Sequence, residues 1–137
     1  ILGIRGEQHP LHQYLRFGVP VSLSTDDEGV SRSDMTHEYL RAAQDQGLSY
    51  SELKTMARTG LEHAFIAGQS LWSDGRGFRP VRECAADRLG AKPSAGCQKF
   101  LDGNEKARLQ WEFESQLREF EAQTWPATAR STREAAR

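Results

Sequence analysis

At 137 residues and a formal net charge of −1, the chain is one domain's worth of sequence or a piece of a larger one. Its apolar fraction of 37% leaves a thin hydrophobic reserve, and no apolar run approaches the roughly 18 residues of a transmembrane helix. No basic stripe is interleaved with aromatics, which argues against nucleic acid as the main partner. The sequence opens Ile1-Leu2-Gly3-Ile4-Arg5, without a methionine or a signal peptide, and reads as cut open inside a longer protein.

Residues 1–8 read as loop, broken by Gly3 and Gly6. Pro10 suits a first helical position, and Leu11, Tyr14, Leu15 and Phe17 supply an apolar face before Gly18 ends the helix. His9 and His12 stand at i, i+3, a weak metal signal without a neighbouring Glu or a third ligand. Val19, Val21 and Leu23 then alternate with Pro20, Ser22 and Ser24, the pattern of a short buried strand over about residues 19–25. Pro20 is tolerated there only among the first strand residues.

That strand stops on two adjacent carboxylates, Asp26 and Asp27, followed by Gly29. Two readings stand side by side. In one, the acids cap the next backbone amides and Gly29 supplies a positive φ, so the stretch is a turn. In the other, one carboxylate binds a metal and the second points at a substrate; a cation removes the repulsion between them.

Beyond the acids, Gly29 to Arg32 reads as loop. Ser33 and Asp34 start a helix with Met35, Tyr39, Leu40 and Ala43 on one face, closed by Gly47. Ser49 and Glu52 make a capping box for the next helix. Its stripe of Leu53, Met56, Ala57, Leu61, Ala64 and Phe65 is core, and Gly60 marks close helix packing. His37 and His63 read as solvent-facing. Residues 67–79 form a Gly-rich loop pinned by Trp72 and Phe78, with no preceding strand or following Lys to make a phosphate cradle. Helix resumes over 80–92 and a linker spans 92–96; Asp102 and Glu105 cap a long charged helix running to about Gln123. Leu109, Phe113, Leu117 and Phe120 repeat along it at helical spacing, flanked by Trp111 and Trp125. This helix packs on its own chain or, through a narrow stripe, on a second copy. Residues 126–137 read as a disordered tail. Cys84 and Cys97 lack C-x-x-C spacing, so zinc is not their partner. They form either a disulfide across the linker, as in an exported or periplasmic protein, or buried free thiols, as in a cytoplasmic one.

The run from His9 to Ala43, HPLHQYLRFGVPVSLSTDDEGVSRSDMTHEYLRAA, resembles the C-terminal part of the metal-dependent adenosine deaminase family. In that family a short helix leads through GVPV into the eighth strand of a (β/α)8 barrel, which ends in S-[TS]-D-D. The next helix carries an acidic face like Glu38-Tyr39. The likeness continues more loosely through residues 49–66 and, in a bacterial subset, along the last helix, about the last third of a family member. It implies an α/β fold class: residues 1–69 as the end of a TIM barrel with one strand, 70–125 as a helical extension, and 126–137 as a tail. The fragment itself would be mostly helical. Asp26 matches the aspartate that ligates the catalytic Zn²⁺, and Asp27 the neighbour that hydrogen-bonds the purine ring. Ser24 and Thr25 match the lead-in behind them, and His9 would stand near the barrel mouth. One departure is Glu28, where many members have Pro.

The resemblance implies hydrolytic deamination of adenosine to inosine. The family's remaining zinc ligands are an H-x-H pair and a further His, and a Glu and a His move the protons. None of these has a counterpart in this sequence, so the isolated chain is expected to be inactive. Two other readings remain open. The chain could be a non-catalytic helical interaction module. It could also belong to a deaminase of another aminopurine nucleoside or nucleotide, with Arg32 a candidate for phosphate.

Overall fold

The structure is a computed structural model that describes residues 8–123. The expected tail over 126–137, Trp125 and most of the opening loop lie outside the described residues. The described part is mostly helical: α1 (Leu11–Arg16), α2 (Glu28–Ser31), α3 (Met35–Gln44), α4 (Tyr50–Glu62), α5 (Ala95–Asp102) and α6 (Glu105–Ala122). A two-stranded antiparallel hairpin, β1 (Trp72–Asp74) with β2 (Arg79–Pro80), pairs Trp72 with Pro80 and Asp74 with Arg79.

Local signals explain the helix starts. The Asp34 side chain accepts from the His37 N–H at 2.7 Å and caps α3, taking the place expected for Ser33. Ser49 and Glu52 close a reciprocal capping box at α4. These bonds hold the Glu52 carboxyl below the usual carboxylate range, the backbone N–H of Ser49 contributing most. Gly18 and Gly47 take positive φ after α1 and α3, as helix stops do.

Two clusters form the core. Leu11, Ala42, Leu48 and Met56 gather α1, α3 and α4, with Leu15, Val21, Leu23 and Leu53 packed around them. Leu71, Trp72, Phe78, Cys84, Cys97, Leu101, Ala107 and Trp111 form the second. Between the clusters α4 packs on α6. There the Arg58 guanidinium makes a two-pronged ion pair with Glu114, at 2.6 and 2.7 Å, with Glu114 only 4% exposed. The same guanidinium lies 5.7 Å from the Trp72 ring centroid and 5.5 Å from that of Phe78. Outside it, Lys54 pairs with Glu121, which also accepts from the Tyr50 hydroxyl. Buried Gln110 accepts from the Leu71 N–H at 2.8 Å and donates to Glu62 at 2.8 Å.

Several expectations are corrected. Residues 19–25 carry no strand ladder, because no other described segment lies alongside to pair with them. The alternation survives in burial only from Val21 on: Val21, Leu23 and Thr25 are half-buried while Pro20, Ser22 and Ser24 are exposed, and Val19, expected on the buried face, is exposed as well. Gly60 faces this segment, with Ser22 as its neighbour, rather than another helix. The positive φ in the turn belongs to Asp26 and Arg32 and not to Gly29, and Glu28 to Ser31 make a helical turn instead of loop. Helix α4 ends at Glu62, so Ala64 and Phe65 leave the stripe and Phe65 is fully exposed.

Residues 67–79 are not a plain loop. The Asp74 carboxylate accepts from the Arg76 N–H at 3.0 Å and pairs with Arg79 at 3.1 Å, nucleating the hairpin. Trp72 and Phe78 do pin it, both buried and meeting edge to face. The expected helix over 80–92 is a run of turns. Pro80 is held in the hairpin, Cys84 is bonded to Cys97, and Gly90 takes a φ of +68°. The cysteines therefore form the disulfide, and the expected linker leads into α5, capped by Ser94. Asp102 ends α5 and caps nothing. Asn104 starts α6 while its side chain accepts from the Gln69 N–H at 2.7 Å.

The inward face of α6 is also not the expected stripe. Ala107, Gln110, Trp111 and Glu114 are buried, while Leu109, Phe113 and Leu117 are half-buried and Phe120 is 44% exposed. A face holding Gln and Glu can turn inward only because each finds a partner on α4 or the hairpin.

Arg58→Ala leaves Glu114 buried without its partner. It should cost about 3–5 kcal/mol in urea unfolding. The double variant Arg58→Met/Glu114→Gln should recover a large part of that loss. Lys54, bonded to Glu121, depresses the Glu121 carboxyl, and Glu52 is depressed likewise. Their contribution is complete above the unfolded carboxylate value of about 4.3 and disappears as pH falls through the lower folded values. Acid unfolding curves should therefore be shallower on that side for Glu52→Gln/Glu121→Gln than for the parent chain.

Candidate functional site

Of the sequence-predicted site residues, Ser24, Thr25, Asp26 and Asp27 lie in one stretch between α1 and α3, while His9 precedes α1. After the irregular segment 19–25, the chain reverses at Asp26, whose φ of +51° is the left-handed region that Asp tolerates better than most residues. The reversal is held by backbone and hydroxyl. The Asp26 N–H donates to Ser24 Oγ at 3.2 Å, the Glu28 N–H to the Asp26 carbonyl at 3.2 Å, and the Val30 N–H to the Asp27 carbonyl at 3.0 Å. Asp27 is the residue before α2, and its side chain does not cap that helix. Both acids are exposed. Glu28 is the first residue of α2, a position that proline also suits, but only a residue other than proline can donate the N–H that meets the Asp26 carbonyl here.

The structure brings Ser24, Asp26 and Asp27 together and leaves the other candidates apart. Thr25 is half-buried on the same face as Val21 and Leu23. His9 accepts from the Leu11 N–H through Nδ1 at 3.2 Å and lines a small cavity of about 140 Å³ with Leu23, Glu38 and Arg41. The His12 Nε2 lies 2.8 Å from the Gln46 carbonyl, so both histidines serve local contacts. His37 and His63 are exposed, as expected. Arg32 is exposed in a left-handed conformation at the end of α2. Ser33 donates to Glu38, a bond that ties the approach to α3 and carries no sequence signature. The left-handed Asp26 also went unread; its only signal is that Asp, like Asn, is a residue type that accepts such a backbone.

A structural or catalytic zinc site takes three or four protein ligands. Among the described residues no group of three or more His, Cys, Asp or Glu side chains could hold a metal ion. The donor set here is therefore one exposed carboxylate pair and does not by itself amount to a zinc site. No helix among the described residues is long and apolar enough to cross a membrane.

The sequence profile of the adenosine deaminase family matches residues 5–71, which contain the whole of this turn. Adenosine deaminase from Shewanella loihica is 44% identical over 61 residues, covering 44% of this chain and 18% of the relative. That of Serratia proteamaculans is 45% identical over 62 residues, covering 45% and 19%. That of Escherichia coli (strain SMS-3-5) is 41% identical over 61 residues, covering 44% and 18%. No solved structure matches the chain. Residues 5–71 are thus similar to a segment of the adenosine deaminase family. The matched stretch spans under a fifth of the length of these curated relatives, and the family match stops short of β1, α5 and α6.

The left-handed backbone at Asp26 sets a test of what the side chain is kept for. Asp26→Gly should raise the chain's stability by about 1 kcal/mol in thermal or urea unfolding, and Asp26→Val should lower it by about 1–2 kcal/mol. A gain on removing the carboxylate would show that stability is not the reason for an acid at this position.

Proposed function

We propose that residues 5–71 form the strand-end portion of a zinc-dependent adenosine deaminase, in which Asp26 supplies one zinc ligand and Asp27 holds the purine ring. The observation that carries this reading is the S-T-D-D turn, residues 24–27, inside the family match, with both carboxylates exposed. Burial parity supports a barrel strand. Val21 and Leu23 pack on the cluster of α1, α3 and α4 residues and Thr25 is half-buried, while Ser22, Ser24 and then Asp26 form the exposed set. In a (β/α)8 barrel one set of strand residues meets the helical layer and the other the interior, and catalytic groups stand at strand ends.

In this reading the other strands and metal ligands come from sequence outside this chain. Zinc, once bound, supplies an activated water at neutral pH. This chain's own residues orient and hold. Ser24 Oγ fixes the Asp26 backbone, and the αL turn presents the two exposed acids in succession. The substrate is a purine nucleoside, adenosine. The Cys84–Cys97 disulfide supports an oxidising compartment such as the periplasm.

The test uses the longest open reading frame that contains these residues. Its product should deaminate adenosine in a zinc-dependent reaction, followed as loss of adenosine absorbance. Asp26→Ala should lower kcat/KM by more than about 100-fold with loss of bound zinc, and Asp27→Asn should lower it by about 100-fold with zinc retained. The 137-residue chain alone should be inactive. Turnover by that chain, or full activity in Asp26→Ala, would sink the reading.

A further inference from the structure

Residues 84–118, beyond the family match, build a cleft of their own. Its volume is about 450 Å³, within the range of small-molecule sites. Leu101 and Trp111, both buried, form its floor. One wall is the 90–93 loop. The other is the face of α6 where Arg108, Glu112, Ser115 and Arg118 recur at helical spacing.

The loop wall is fixed in advance. Gly90 is buried with a φ of +68°, and its backbone lies so close to α6 that a Cβ would collide with the backbone of Glu114 and Ser115. The Ala91 carbonyl accepts from the Trp111 indole N–H at 3.0 Å. Asp87 accepts from the Ser94 N–H at 2.8 Å, and the disulfide ties the preceding turns to α5. A ligand entering here would not have to order the loop first.

The charges along the cleft are unevenly spent. Arg108 is paired with Glu112 at 3.3 Å. Lys92 and Arg118 have no ion-pair partner among the described residues. Arg118 also lines an adjoining cavity with Arg88, Glu119 and Glu121, and Glu121 is already held by Lys54. The uncommitted groups are thus Lys92 and Arg118 in the cleft, with Arg88 and Glu119 in the adjoining cavity, and the Ser115 hydroxyl also lines the cleft.

We propose that this cleft binds a phosphate group. Separate cations and a hydroxyl suit a dianion with several acceptor oxygens, whereas a carboxylate offers two oxygens and one charge. Trp111 is 6% exposed with its N–H engaged, so no ring face is open for stacking a base. Recognition lies in the phosphate itself, whether free or as a monoester. The proposal is independent of the deaminase reading, since adenosine carries no phosphate.

The experiment titrates the 137-residue chain with inorganic phosphate at constant ionic strength and follows the indole resonance of Trp111, assigned with Trp111→Phe. A second arm uses a nucleoside monophosphate, with chloride as the control. Saturable binding in the millimolar range is expected, at comparable affinity in both phosphate arms. Lys92→Ala/Arg118→Ala should weaken it by about tenfold. Both side chains are exposed, and circular dichroism checks that the variant is folded. Glu112→Gln, which frees Arg108, should tighten binding and gives a second readout. No saturation by tens of millimolar phosphate would overturn the proposal. So would binding unaffected by the double variant, or binding of the nucleoside monophosphate alone.

Discussion

The Arg58–Glu114 pair is the interaction on which the rest of this structure depends. It lies where α4 crosses α6, so it joins the family-matched segment to the part beyond it. A carboxylate this buried is tolerable only against a guanidinium whose geometry meets both of its oxygens. Trp72 and Phe78 flank the guanidinium, and the hairpin that carries them is thereby held against α4. Around this centre the polar groups are mutually satisfied. Gln110 meets Leu71 and Glu62, and Glu121 meets Lys54 and Tyr50. Burial, with the Glu121 carboxylate beside it, pushes the Tyr50 hydroxyl up to about 12.

That constraint divides the labour of the chain. The first cluster supports residues 19–27 through Val21 and Leu23 and so sets where Asp26 and Asp27 emerge. The second, closed by the disulfide, meets that segment at the hairpin end: Gly75, Arg76 and Phe78 line a cleft with Val19, Pro20 and Val21. The candidate site and the bracing thus lie on different stretches. The acids stand on a short turn that gains its shape from backbone bonds, while buried side-chain pairing is concentrated beyond residue 50. Exposed Tyr14, Phe17, Met35 and Leu40 lie in the family-matched half, in keeping with a segment that would meet further barrel sequence under the proposed function.

Much of the site was legible because its signals are local. Alternation over residues 19–25, the stop at Asp26-Asp27 and the motif around them can be read within ten residues, as can the Ser49–Glu52 box. The αL backbone at Asp26 was missed because several conformations suit a turn rich in Asp and Gly. The absence of a ladder at 19–25 was equally unreadable, since a strand exists only with a neighbour.

By itself the sequence determined the capped start of α4, the core role of Met56, the pinning of the hairpin by Trp72 and Phe78, and the likeness of residues 5–71 to the adenosine deaminase family. Those follow from caps, periodicity and short motifs, whose energetics are settled within a few residues. Only the tertiary structure decided which face of α6 turns inward, that 82–86 turn instead of coiling, and that Cys84 meets Cys97. Periodicity favoured Leu109, Phe113 and Leu117, but Glu114 and Gln110 went inside because α4 offered Arg58 and Glu62. A buried polar group is excluded or admitted by its partner, and that partner lies 48 or more residues away along the chain.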